Sequence, residues 1–269
     1  MIQILNENCF DTMRNMDPTS IDIVLTSPFY NTNKKANKNR TLLNTRVKED
    51  QYNYVRYDVH VDNMSNEDYC VYTKNLFDQI ERVLKPNGCV LYNMSYGSEN
   101  TEGMWLTVAY ILQHTNFTVT DCIVWKKKIA FPNASSPNKL TRICEYVFVF
   151  CRKNELLTFH CNKRITSYRK TGQAAYENVC NFIEARNNDG QCPYNKAAYS
   201  TELCEWLLKL YAPKNGTVYD PFLGTGTTAI ACQNLGLNCI GSEISSNQCE
   251  WAKQRLSKNT KEKFCLKGD

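Results

Sequence analysis

A chain of 269 residues, 42% of them apolar and 22% charged, can build one large core and is not disordered as a whole. Its 14 cysteines include no CxxC pair and it has only 3 histidines, which excludes a secreted disulfide framework and a zinc ligand set; a reduced intracellular protein without a metal is expected. The formal charge of +5 is modest, no apolar run is long enough to span a membrane, and the first residues read as a strand rather than a charged and then apolar leader.

Strands and helices alternate along the chain. Residues 20–26 (SIDIVLT) form a compact apolar strand that runs into Ser27, Pro28, Phe29 and Tyr30. An asparagine-rich excursion follows over 33–63. Between Asn33 and Arg46 it carries Lys34, Lys35, Lys38 and Arg40 and no acid, a charge run suited to phosphates if it borders a cleft. Ser65 then caps a helix, with Asp68 three residues on and Tyr69, Tyr72, Leu76, Ile80 and Val83 along one face. Pro86 and Gly88 are expected to stop that helix and turn the chain into a strand over 89–94. A helix over 101–113 and strands over 117–125 and 145–151 come next. Trp125, at a strand end, reads as core packing. Residues 152–195 form a second excursion of weak periodicity, with Lys153, Lys163, Arg164, Arg169 and Lys170.

The last third has sharper signals. A helix capped by Ser200 or Thr201 presents Leu203, Trp206, Leu207 and Leu210 on one side and leads through a turn to a strand over 217–220. The loop 220-DPFLGTGTT-228, a helix, the strand 238–243 and Glu243 complete a nucleotide-site arrangement. Gly224 and Gly226 allow a tight turn beneath a ligand, and a carboxylate at the end of the next strand can accept from both hydroxyls of a ribose. The loop lacks the third glycine of a dinucleotide fingerprint and the lysine of a phosphate loop. By exclusion, S-adenosylmethionine (SAM) is favoured over NAD or ATP.

Taken together, 26-TSPFY-30 and 220-DPFLGTGTT-228 resemble the two defining motifs of the amino-nitrogen DNA methyltransferases, which methylate N4 of cytosine or N6 of adenine. Their order, catalytic motif first and cofactor loop last, is similar to the permuted beta group of that family. The likeness extends through residues 58–69, 82–88, 125–126 and 241–243, nearly the whole chain. It implies one Rossmann-like α/β methyltransferase domain over 1–269, with a central, mostly parallel sheet, helices on both faces, and the two excursions 33–63 and 152–195 as DNA-contact or recognition segments.

The resemblance also implies roles. Ser27 and the Pro28 carbonyl would accept hydrogen bonds from the target amine, Phe29 stands where relatives have a second proline, and Tyr30 would stack on the extruded base. Asp220, Phe222, Gly224 and Gly226, with Thr227 and Thr228 opening the helix, would hold SAM. Glu243 would anchor its ribose, and Asn8 stands where many relatives have an aspartate near the adenine. Lys34, Lys35, Lys38 and Arg40 would hold the phosphates of double-stranded DNA. A serine at the first motif position is commoner among N4-cytosine enzymes, so that base is favoured, with N6-adenine the alternative. An RNA methyltransferase or a catalytically silent SAM-binding or nucleic-acid-binding subunit are competing readings. The partner expected is duplex DNA, with homodimerisation open, and the setting is a prokaryotic cytoplasm or a nuclear or viral compartment.

Overall fold

The computed structural model describes residues 1–31, 64–97, 100–130, 132–133, 137–190 and 198–265, with side chains up to 260. The stretch 33–63, and with it the basic residues Lys34, Lys35, Lys38 and Arg40, lies outside the described residues, as does the end of the second excursion from 191.

The chain runs β1 (Ile2–Leu5), α1 (Cys9–Asn15), β2 (Ile21–Thr26), α2 (Asn66–Val83), β3 (Leu84–Met94), α3 (Gly103–His114), β4 (Phe117–Lys127) and β5 (Cys144–Arg152). It continues through a short 3-10 turn, β6 (Ile165–Tyr168), β7 (Ala174–Tyr176), β8 (Phe182–Ala185), α4 (Thr201–Tyr211), β9 (Thr217–Asp220), α5 (Thr227–Leu235), β10 (Asn238–Ser242) and α6 (Ser246–Cys265). Eight strands form one sheet in the order β1-β10-β9-β2-β3-β5-β4-β8. The first five are mutually parallel; β5 runs antiparallel between β3 and β4, and β8 is parallel to β4. The expected mostly parallel sheet is therefore present.

Side chains of successive strand residues leave opposite faces, and the burial follows that period of two. On β3, Cys89 and Leu91 enter a core with Leu203, Leu207 and Leu208 of α4 and Ala229 and Cys232 of α5. Val90, Tyr92 and Met94 enter the other, with Met13 of α1, Leu76, Phe77 and Ile80 of α2, and Met104 and Ile111 of α3. A sheet covered on both faces explains why its central strands read as continuous apolar runs.

Four local expectations need revision. Helix α1 was not expected; seven residues give too few turns for a clear apolar period, although Asn8 caps it by accepting from Phe10 N at 2.9 Å. Helix α2 ends at Val83, before LKPNG, and β3 already begins at Leu84. Residues 86–88 are thus a bulge inside a strand: Ile21 pairs with Leu84 but Ile23 with Cys89, and Asn87 takes a positive φ of 57° to make the detour. Third, the second excursion is partly ordered into the β6–β7 hairpin and β8, which adds the eighth strand. The fourth is the strand over 238–243, which ends one residue earlier, leaving Glu243 just beyond it. Trp125 is core, 1% exposed, with its indole N–H donating to Ala185 O at 3.4 Å.

The Ser65 cap forms as expected: its Oγ accepts from Asp68 N at 3.0 Å and donates to the Asp68 carboxylate at 2.7 Å. Ser65→Ala should therefore lower stability by about 1 kcal/mol, a fall of ~2–4 °C in the thermal midpoint, checked by calorimetry. An unchanged midpoint would mean that α2 is held by its buried face alone.

Candidate active site

In an open parallel sheet, ligands gather at the carboxyl edge where the chain's direction of travel across the sheet reverses. Here that point lies between β9 and β2, which are neighbours, with Ile23 opposite Val218 and Val24 opposite Tyr219. The two motifs follow the carboxyl ends of these two strands, so the register alone brings together residues nearly two hundred positions apart.

Asp220 fastens them. It is fully buried and accepts from Thr26 Oγ1 at 2.7 Å, Phe222 N at 3.0 Å, Thr228 Oγ1 at 2.6 Å and Tyr199 Oη at 3.3 Å. Burial raises its pKa above the ordinary carboxyl value, an effect that outweighs these donors. The phenol of Tyr199 is raised further still, by its own burial and then by Asp220, which keeps it a donor. Across the cleft, the rings of Phe29 and Phe222 meet edge to face at 6.0 Å. Asp220 thus ties β2, the glycine loop, α5 and Tyr199 to one carboxylate, a structural use of all its bonds.

The glycine loop fits a bound nucleoside. Gly224 and Gly226 have φ of 56° and 82°, and a Cβ on Gly226 would lie 2.7 Å from that of Ala252. Helix α5 opens at Thr227 without a side-chain cap, because Gly226 has no side chain to bond the first-turn amides. Glu243 is 9% exposed beside this loop. Its Oε2 accepts from Gly224 N at 2.8 Å and its Oε1 from Ser245 N at 2.8 Å, which fixes the carboxylate at the carboxyl end of β10. A carboxylate oxygen can accept more than one hydrogen bond, so ribose hydroxyls can join these amides. The donor set is that of a ribose clamp on an open helix N-terminus, and SAM fits it.

Within TSPFY, Ser27 is partly exposed while Pro28, Phe29 and Tyr30 are buried. Phe29 packs edge to face on Tyr69 at 5.2 Å and also against Tyr72, and its carbonyl accepts from Tyr69 Oη. Asn31, at φ 50°, bends the chain away, and its carbonyl accepts from Asn100 Nδ2 at 2.7 Å. Among the described residues nothing donates to the Pro28 carbonyl. The loop is therefore held from behind, with Ser27 on its open side.

Sequence reasoning missed the polar residues behind Tyr30. Its hydroxyl bonds Ser27 Oγ at 2.8 Å and donates to Glu145 Oε2 at 3.0 Å. Asn93 Nδ2 donates to Tyr30 Oη and, at 2.9 Å, to Glu145 Oε2, and Lys127 pairs with Glu145 Oε1. These come from the ends of β3, β4 and β5 on the same edge. The available signal was a lone polar residue in each of two apolar strands, Asn93 in CVLYNM and Glu145 before YVFVF. Asn8 is exposed, and its side-chain oxygen caps α1; two residues earlier, Asn6 Nδ2 donates to Glu243 O at 2.8 Å.

Comparison with known proteins agrees with this geometry. The chain is 24% identical over 276 residues to the type II methyltransferase M.BglII of Bacillus subtilis, covering 95% of this chain and 69% of that one. It is 25% identical over 266 residues to M.HinfI of Haemophilus influenzae, covering 94% and 67%. Among solved structures, the PvuII DNA methyltransferase (cytosine-N4-specific) superposes with a TM-score of 0.70 at 14% identity, over 97% of this chain and 90% of that one. The M1.HpyAVI–SAM complex does so with a TM-score of 0.55 at 20% identity, over 95% and 100%. The fold is thus the Rossmann-like methyltransferase fold with permuted motif order. The family model of the N6/N4 DNA methylases matches residues 21–254, a span that contains both motifs and the sheet edge joining them, and the chain belongs to that family.

Proposed function

We propose that this protein binds SAM and duplex DNA and methylates an exocyclic base amine, N4 of cytosine in preference to N6 of adenine. The observation that carries the reading is the Thr26–Asp220 hydrogen bond, which holds the open Ser27 beside the glycine loop. SAM, when bound, supplies an electrophilic methyl group.

The chain's own residues must make the amine a nucleophile. The lone pair of an aromatic amine is delocalised into the ring. Acceptors at Ser27 Oγ and the Pro28 carbonyl hold the two amine protons out of the conjugated plane, which returns lone-pair density to nitrogen and aims it along one line. No covalent intermediate with the protein is required. The uncharged Ser27, in place of an acid, favours cytosine.

A base inside a duplex cannot reach this edge, so it is extruded, and Tyr30 replaces part of its lost stacking. Glu243 anchors the ribose of SAM, with Phe222, Gly224, Gly226, Thr227 and Thr228 around the ligand and Asn8 at the adenine end. Lys34, Lys35, Lys38 and Arg40 hold backbone phosphates. The β6–β7 hairpin is a second DNA contact, since its strand residues are largely exposed and Arg169 and Lys170 stand at its tip. A two-stranded ribbon of this kind fits a major groove.

Incubation with methyl-labelled SAM and mixed-sequence duplex DNA, followed by nucleoside digestion and mass spectrometry, tests the reading. N4-methylcytosine is the expected product. N6-methyladenine would overturn the choice of base, and labelled RNA with unlabelled DNA would overturn the substrate. Replacing Lys34, Lys35 and Lys38 with glutamine should weaken DNA binding and reduce the slope of log affinity against log salt by up to about 3. An unchanged slope would place the phosphates elsewhere.

A further inference from the structure

A largely buried carboxylate, Glu145, lies behind the TSPFY segment. Glu145 is 9% exposed at the start of β5, and its bonding partners come from three other segments: Tyr30 after β2, Asn93 on β3 and Lys127 on β4. Lys126, the adjacent cation on β4, is committed to Glu184 instead. On its own strand Glu145 is flanked by Cys144 and Tyr146.

The direction of each hydrogen bond follows from this arrangement. A carboxylate only accepts, so the Asn93 amide must turn its NH2 toward Glu145; the reverse orientation would set two oxygens against each other at 2.9 Å. No other partner dictates that orientation, because Asn93 Oδ1 has none among the described residues. The same NH2 donates to Tyr30 Oη. Tyr30 has a single proton, and Glu145 can only receive it. At the 2.8 Å contact Ser27 must then be the donor and Tyr30 the acceptor. Ser27 Oγ also accepts from Asn93 Nδ2 at 3.3 Å, which leaves it one further lone pair with which to accept.

We propose that Ser27 Oγ, Tyr30 Oη and Glu145 Oε2 form a proton relay, in which Glu145, acting through Tyr30, takes the proton released by the target amine. This rests on the reading that TSPFY holds that amine. As the amine nitrogen forms its bond to the methyl carbon, the bond from that carbon to the sulfonium sulfur breaks and its electron pair stays on sulfur. The nitrogen is left positive, with one proton too many. That proton passes to Ser27 Oγ as the Ser27 proton passes to Tyr30 Oη and the Tyr30 proton to Glu145. The methylated amine and Glu145 end neutral, Ser27 and Tyr30 are unchanged, and the proton returns to solvent after product leaves. Lys127 and Asn93 hold the carboxylate in line beforehand. A protonated Glu145 cannot accept, so methyl transfer should fall in acid.

The test combines two readouts. In the SAM-free protein labelled with 13C at the glutamate carboxyls, with the Glu145 resonance identified through Glu145→Gln, Tyr30→Phe should shift the Glu145 resonance at neutral pH, because it removes a hydrogen-bond donor from that carboxylate. In single-turnover transfer to mixed-sequence duplex DNA, Tyr30→Phe and Glu145→Gln should each lose about a hundredfold, the range of general acid–base catalysis, and both should lose the acid limb of the rate–pH profile. Glu145→Asp should restore part of the rate together with the limb. The relay is overturned if the Glu145 resonance ignores Tyr30→Phe, or if the acid limb survives in either variant. If those variants keep the wild-type rate and profile while Ser27→Ala inactivates, the relay fails and the motif reading stands. An active Ser27→Ala protein would overturn that reading and the relay with it. Tyr30→Phe removes one oxygen and no charge, so the relay is tested even if Glu145→Gln does not fold.

Discussion

Asp220→Ala is expected to lower folding stability by about 3 kcal/mol, more than any other single change at this site, and to abolish SAM binding. Four donors converge on the carboxylate, and alanine accepts from none. Tyr199 Oη and Thr228 Oγ1 lie 2.5 Å apart, and once Asp220 is gone one can donate to the other across the gap. Phe222 N and Thr26 Oγ1 cannot do so, and each buried donor left unpaired costs about 1–3 kcal/mol. Asp220→Asn should be much milder, about 1 kcal/mol, because the amide oxygen can stay on Phe222 N and Thr26 while its NH2 donates to the two hydroxyls, which are able to reverse. Urea unfolding at neutral pH separates the two; equal losses would mean that burial of charge, not bond geometry, governs the site.

The same pair gives a pH dependence of defined sign. Burial raises the folded-state pKa of Asp220 above its ordinary value, so the folded protein takes up this proton at higher pH than the unfolded chain does. The stability contributed by that uptake is complete below the unfolded pKa and is lost as pH rises through the folded one. Relative to Asp220→Asn, the wild type should therefore gain stability as pH falls through that window. A gain in the opposite direction would mean that the four donors outweigh desolvation.

What could be read from sequence was what is local. Ser65 with Asp68, the apolar face of α2 and the loop from Asp220 to Thr228 each declare themselves within a few residues, and each stands in the structure where expected. Helix α1 escaped because seven residues hold too few repeats, even with Asn8 as cap and Asp11 in its first turn. The 86–88 segment was misread because proline, asparagine and glycine mark a bulge as readily as a turn. The meeting of the two motifs needed only the alternation of strands and helices, since parallel strands send their loops to one edge. The relay needed more. Asn93 and Glu145 join Tyr30 across separations of 63 and 115 residues, and only the antiparallel placement of β5 beside β3 brings the start of one strand to the end of the other. No local pattern encodes that register.

Glu243→Ala should weaken SAM binding about a hundredfold, measured by calorimetric titration. Two hydrogen bonds from ribose hydroxyls to a largely buried carboxylate, at roughly 1.5 kcal/mol each, amount to about 3 kcal/mol, or two decades in affinity. That loss alone would be ambiguous. Glu243 also holds Gly224 N and Ser245 N, so its removal frees the glycine loop as well as the ribose. A SAM analogue lacking the 2′ and 3′ hydroxyls separates the two causes. Against the wild type it should bind about a hundredfold more weakly than SAM, since the carboxylate then meets no hydroxyl. Against Glu243→Ala the two ligands should bind alike, because the acceptor that distinguishes them is gone and the loop's disorder penalises both equally. If the analogue is instead disfavoured to the same degree by both proteins, the hydroxyls are read by another group, and Glu243 acts by bracing the loop through Gly224.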